Sequence, residues 1–277
     1  MGYDVILTTG MSNSLYSLQQ IDKLMQTTNE RLATGKEVNS ALDDPINYFA
    51  SEDHLNRASD LQGRKDEMNE GIQLLTASNT GVESILDMID TAISLANSAQ
   101  VATDETAIDS LEAQYLEVLN QIDQVVNDSF YKGTNLLQGD SLTVYLNAEG
   151  TSTIDLTGQA ADYASLGLSD PAATWSDGAG TPDSAGIQAS LDSLTAAKTT
   201  LRTMSQTLSL NLSSIEIRMD FADEMISILN DGASLLTAAD TNSESAKLLM
   251  LQTQQDLALS SLSISSDAYQ GVLRLFS

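Results

Sequence analysis

Cysteine is missing from these 277 residues, histidine and tryptophan occur once each, and proline occurs three times. Without cysteine there is no disulfide, no thiolate nucleophile and no Cys-ligated metal. Cationic residues are scarce: 12 Lys and Arg stand against 39 Asp and Glu, a formal charge of −27 and a pI near 4.1. Apart from Arg64-Lys65 they are scattered singly, so no basic stripe exists for a nucleic-acid backbone or for anionic lipid. Neither nucleic acid nor membrane is an expected partner. Long apolar runs are missing too. The opening MGYDVILTTGMSNSLYSL lacks the basic region and apolar core of a cleaved signal peptide, which sets a cytosolic default.

What is present is helix. With 42% hydrophobic residues the chain can build one or two real cores. From Met68 the series Met68, Ile72, Leu75, Asn79, Val82, Leu86, Ile89, Ile93, Ala96 alternates steps of four and three, the seam of a long helix. After the polar break ATDETA a second series runs Ile108, Leu111, Tyr115, Val118, Ile122, Val125. A third runs from Ile187 to Leu229 and is interrupted only by Lys198 and Ser205. Between the second and third lie the β-friendly runs SLTVYLNAEG and TSTIDLTG, which predict a hairpin near 141–157. Residues 169–186, rich in Gly, Ser, Ala and Pro, predict an outer loop whose Trp175 anchors it to that hairpin.

The two ends carry wider apolar faces. Leu15, Leu18, Met25 and Leu32 lie in 14–33; Leu248, Leu251, Leu262, Tyr269, Val272 and Phe276 lie in 246–276. One partner helix cannot cover so wide a girth, so these residues are expected to contact other copies of the chain. Breaks flank both segments, Gly35 on one side and Asp231-Gly232 on the other. The stretch ERLATGKEVNSALDDP reads as a joint: Gly35 ends a helix in αL, Asn39 or Ser40 caps a new one, Asp43 and Asp44 suit its N-terminus, and Pro45 suits its first turn.

That joint, ERLATGKEVNSALDDPINYFASEDHLNRASDLQG, together with NEGIQLLTASNTGVESI and the C-terminal SSLSISSDAYQGVLRLF, resembles the bacterial flagellins of the short kind that lack large outer domains. The resemblance spans roughly the first 140 and the last 90 residues. It implies a mainly α fold: a long antiparallel helical bundle or coiled coil with a small β-hairpin, plus paired terminal helices. By that likeness 1–41 and 236–277 form an inner tube, 42–235 form the bundle domain, and the joint is the spoke between them. The implied function is a self-assembling subunit of the flagellar filament used for motility, a homo-polymer. The implied partners are the flagellar export apparatus, the filament cap and the hook-junction proteins. The implied location is extracellular, through type III export without a cleaved signal. Where flagellins seen by the innate-immune flagellin receptor carry two arginines, the matching stretch here is Asp90–Ala96, with Thr91 and Ile93 at those places. A hook–filament junction protein and a secreted enzyme on a helical scaffold are the alternatives.

No constellation points to chemistry. The lone His54, in SEDHLNRAS, lacks the spacing of a metal-binding helix and reads as a solvated face. Asp43-Asp44 reads as a helix start rather than a paired acid and base. Gly35-Lys36 lacks the hydroxyl of a phosphate loop, and the acids at 104, 105 and 109 lack the glycine of a calcium loop. No catalytic residue, cofactor or metal is expected.

Overall fold

A computed structural model of the chain describes residues 9–168, 175–176 and 181–275, with side chains placed from Gly10 to Gly271. Phe276, the Val272 side chain and most of the 169–186 loop lie outside the described residues. The elements run in order α1 (Thr9–Thr34), α2 (Pro45–Val101), α3 (Glu105–Asp128), a 3-10 turn (Leu136–Gln138), β1 (Ser141–Tyr145), β2 (Thr153–Thr157), α4 (Ser184–Thr237) and α5 (Thr241–Leu275). The fold is mainly α with one two-stranded antiparallel sheet. It divides into two compact units: one holds the residues up to Arg57 and from Ser227 onward, the other Ala58–Ile226. The boundaries expected at 41/42 and 235/236 fall inside the first unit. There the Ser51 hydroxyl donates to the Ala233 carbonyl at 3.2 Å, and Gly232 lies against the His54 ring.

In the second unit α2 buries two columns. Met68, Leu75, Val82, Ile89 and Ala96 form the expected one. The second is Gly71, Ser78, Ile85, Ala92 and Ala99, while the expected Ile72, Asn79, Leu86 and Ile93 are only half-buried. The two buried columns alternate steps of three and four, as knobs into holes require. Small residues make the second column because neighbours come close. A Cβ on Gly71 would sit 2.9 Å from a Val144 methyl. Beside the columns, a Cβ on the buried Gly81 would sit 2.4 Å from Ser129 Oγ and 2.7 Å from Leu137 Cδ1. The polar interruptions of the seams find one another: Ser205 Oγ donates to Asn79 Oδ1 at 2.7 Å, and Lys198 ion-pairs with Asp90. The third helix, α3, buries Ile108, Tyr115, Leu119, Ile122 and Val126, and the Asp104 carboxylate caps its start by accepting from Ala107 N–H.

The hairpin pairs Leu142 with Leu156 and Val144 with Ile154, with Val144 and Leu156 buried, as alternation on a half-buried ribbon dictates. Trp175 does not anchor to it. Its fully buried ring packs on Tyr115 of α3, centroids 4.9 Å apart, and its indole N–H donates to Ser190 Oγ of α4 at 3.1 Å. The indole needs both an apolar slot and a hydrogen-bond acceptor, and it finds them in the Tyr115 ring of α3 and the Ser190 hydroxyl of α4.

In the first unit α1 and α5 pair antiparallel. Asp22 accepts from Gln255 at 2.7 Å, and Arg31 reaches Glu244 at 3.3 Å. The α1 positions most withdrawn from solvent are Met11, Ser14, Leu18, Ile21, Met25, Thr28 and Leu32; on α5 they are Glu244, Leu248, Leu251, Gln255, Ala258, Leu262 and Ser265. Both sets alternate steps of three and four, so one coiled-coil seam joins the chain's ends.

Candidate joint and assembly surface

The joint is a short clasp between two chain reversals. Gly35 takes φ +69°, the left-handed conformation that ends α1 without a Cβ penalty. Past it, Lys36 bridges Ala238. Glu37 and Val38 both donate their N–H to the Thr237 carbonyl, at 2.7 and 3.3 Å, and Ala239 N–H donates to the Gly35 carbonyl at 2.9 Å. Thus the α1–α2 turn and the α4–α5 turn hold each other, with Val38 buried beside them. Above the clasp, Arg31 Nη1 lies 3.3 Å from both Glu37 Oε1 and Glu244 Oε1.

The cap chemistry differs from expectation in its assignment. Asp44, not Asn39 or Ser40, caps α2: its Oδ1 accepts from Ile46 and Asn47 N–H at 3.0 and 3.2 Å, with Pro45 at the first helical position. Asn39 and Ser40 form a turn that Asp43 clamps, its Oδ2 accepting from both backbone N–H groups at 3.1 and 2.9 Å and from Ser40 Oγ at 3.0 Å. Those bonds, the Ser40 hydroxyl's foremost, hold the Asp43 carboxyl below its usual value. A free Asp at that place satisfies three donors, which leaves Asp44 nearest the helix. The second break is not at Gly232, which lies within α4; the chain turns at Ala238–Asp240. Asp240 caps α5 by accepting from Asn242 and Ser243 N–H, and the Asp-Thr-Asn-Ser run carries the signal for that cap.

The ten terminal residues expected to meet other copies separate into three groups. Leu18, Met25, Leu32, Leu248, Leu251 and Leu262 lie on the seam between α1 and α5 of one chain. Leu15 and Tyr269 are exposed. Val272 and Phe276 fall outside the described side chains. The exposed set is larger than expected and includes Tyr16, Leu24, Leu249, Leu257, Leu259 and Ile264. On α5 these are the apolar residues that lie outside its heptad seam. On α2, Thr91 is exposed and bonded to its own helix at the Asp87 carbonyl, while Ile93 packs against the core.

Among the described residues no group of three His, Asp or Glu stands close enough to hold a metal ion, and no helix is long and apolar enough to cross a membrane. What the geometry defines is a mainly helical protein whose terminal helices α1 and α5 pair as one apolar-faced coiled coil. The profile of the bacterial flagellin N-terminal helical region matches residues 6–141. Flagellin FljK of Caulobacter vibrioides is 25% identical, and the match covers 96% of each chain. A flagellin of Brucella melitensis is 22% identical across 98% of each. The crystal structure of Bacillus cereus flagellin overlaps 56% of this chain and 88% of its own, at 17% identity and a TM-score of 0.47. The chain belongs to the bacterial flagellin family. It is a structural subunit of the flagellar filament, which polymerises outside the cell, and neither the junction-protein nor the enzyme alternative is favoured.

Proposed function

We propose that subunits join through the outward faces of the paired α1 and α5 helices, with Leu15, Tyr16, Leu24, Leu249, Leu257, Ile264 and Tyr269 meeting the same helices of neighbouring copies. The observation that carries this is their exposure on a pair whose own seam is already filled. Burying one such Leu or Ile contributes about 1.5 to 3 kcal/mol before ordering costs. The seam residues Leu18, Met25, Leu32, Leu248, Leu251 and Leu262 then act by holding the pair together, and Val272 and Phe276 extend the contact. The clasp at Gly35, Asn39, Asp43, Asp44 and Pro45 holds together the two turns that lead into the pair. The subunit carries no catalysis and no cofactor. Its further partners are the export apparatus, the filament cap and the hook-junction proteins, and it leaves the cell without a cleaved signal. Without guanidinium groups at Thr91 and Ile93 it engages the innate-immune flagellin receptor poorly.

Purified chain should form filaments visible by electron microscopy. Leu257→Asp with Ile264→Asp should leave a helical monomer that does not assemble. Normal filaments from that variant would refute the assignment.

A further inference from the structure

Two apolar patches belong to elements other than α1 and α5. The first is a knob at the start of α2: Leu42 and Ile46 are 96% and 81% exposed, and Phe49 is exposed beside them, its ring edge-on to Tyr48. Asp53, also exposed, shares its helix face, four residues beyond Phe49 and seven beyond Ile46. The second is a stripe on α4, where Leu210 and Ile217 are 69% and 65% exposed and Phe221 is exposed as well. Steps of seven and four place these three on one line, opposite the buried Leu201, Leu208, Ile215 and Ala222. Glu216, Asp220 and Glu224 follow one edge of that line. On the other edge stands Arg218, exposed, one residue from Ile217 and three from Phe221. In a chain so short of cations, Lys65, Lys132 and Lys198 each pair with a carboxylate of their own unit, and Arg218 pairs with none among the described residues.

We propose that the knob of one copy docks on the stripe of another, with Asp53 meeting Arg218. This rests on the self-assembly reading above and adds a second contact to it. The argument is one of symmetry as well as charge. A contact between identical patches closes at a dimer, whereas an open helical polymer requires two different, complementary patches on each subunit. Knob and stripe are different, both are apolar, and one carries an acid where the other carries an arginine that ion-pairs with no carboxylate among the described residues. Leu210 and Phe221 lie about 16 Å apart at a rise of roughly 1.5 Å per residue, enough for two or three side chains of the knob to lie along them.

The test is a charge exchange in the full-length chain. Asp53→Arg and Arg218→Asp should each raise the critical concentration for polymerisation about tenfold. The double variant should return to within about threefold of the parent. Phe221→Ser and Ile46→Ser, both at exposed positions, should abolish filament growth while leaving circular dichroism unchanged. If the parent polymerises and the Phe221 and Ile46 variants do so equally well, the docking falls and the self-assembly reading stands; a stripe that covers some other protein would give that same result. A double variant no better than the singles also overturns it. If the parent itself does not polymerise, both fall.

Discussion

Arg31 and Glu244, 213 positions apart in sequence, meet at 3.3 Å in the seam of the terminal helices, and each is largely withdrawn from solvent. Thr28 is fully buried three residues before Arg31. Its hydroxyl, Arg31 Nε and Glu244 Oε2 make no hydrogen bond. A polar cluster inside an apolar seam costs stability but fixes which residues face each other. Removing Arg31 leaves the nearly buried Glu244 carboxylate with only the longer contact to Lys247, at 3.6 Å, and Thr28 beside an apolar side chain. Arg31→Leu should therefore destabilise the first unit by roughly 1 to 3 kcal/mol, read as faster amide exchange across α1 and α5 with α3 unchanged. Equal loss of protection in α3 would count against a local role.

Two glycines should respond differently to alanine. Gly35 has open space around it but holds φ +69°, so Gly35→Ala costs about 1 kcal/mol of backbone strain. Gly81 is helical, and its new methyl would meet Ser129 and Leu137, an overpacking worth about 1 to 3 kcal/mol. Chemical denaturation should place the larger loss at Gly81. The reverse order would show that the clasp, not the bundle, limits stability.

The acid side of the stability profile follows from carboxylates held below their usual values. Asp43 is lowered by the Ser40 hydroxyl and neighbouring amides, Asp162 by Ser165, and Glu70 by Lys132, whose ammonium it accepts at 2.7 Å. A depressed folded value means each contributes stability that is fully present above the ordinary value, 3.8 for Asp and 4.5 for Glu, and lost as pH falls through the lowered one. Lys132, raised chiefly by Glu70, contributes below 10.5 and stops contributing as pH rises past its folded value. Protection of the Ser40 amide should drop on acidification below 3.8, and Asp43→Asn should remove that pH dependence. An Asp43→Asn chain with the same acid profile would contradict it.

Bringing together subunits of charge −27 opposes assembly. Salt shortens the repulsion to roughly 10 Å near 0.1 M, so seeded polymerisation followed by light scattering should accelerate as sodium chloride is added. A steady slowing would mean that attractive charge pairs outweigh the net charge.

The helices, the hairpin, Gly35 and Pro45 were legible because each has a local cause: heptad spacing, β-friendly alternation, a left-handed turn, a fixed φ. The partner of each seam was not. Gly71, Ser78, Ala92 and Ala99 look indifferent in a hydrophobic pattern, yet they form half of the α2 interface because small size, not hydrophobicity, admits a close neighbour. The same limit misplaced Trp175, whose position depends on Tyr115 and Ser190, far away in sequence. It also grouped Leu18 and Leu251 with Leu15, although the first two face each other's helix within one chain and Leu15 faces water. Gly232 does not break α4, because a glycine's helix cost of about 1 kcal/mol is a weak prior that the surrounding helix overrides.

Trp175 gives the second unit its own optical signal. It is the chain's only tryptophan and is wholly buried between α3 and α4, so its fluorescence reports the second unit alone, while far-ultraviolet circular dichroism reports every helix. The first unit's seam is thinner and carries Thr28, Glu244 and Gln255, whereas the second unit's core is continuous from Met68 to Ala222. The weaker seam should open first. In urea, circular dichroism of the monomer should lose signal from α1 and α5 before tryptophan emission shifts, so the two transitions separate. Trp175→Phe keeps the ring contact with Tyr115 but leaves Ser190 without its indole donor, and should move only the later transition, by about 1 kcal/mol. Coincident transitions in the parent chain would show that the terminal pair and the bundle unfold as one cooperative body.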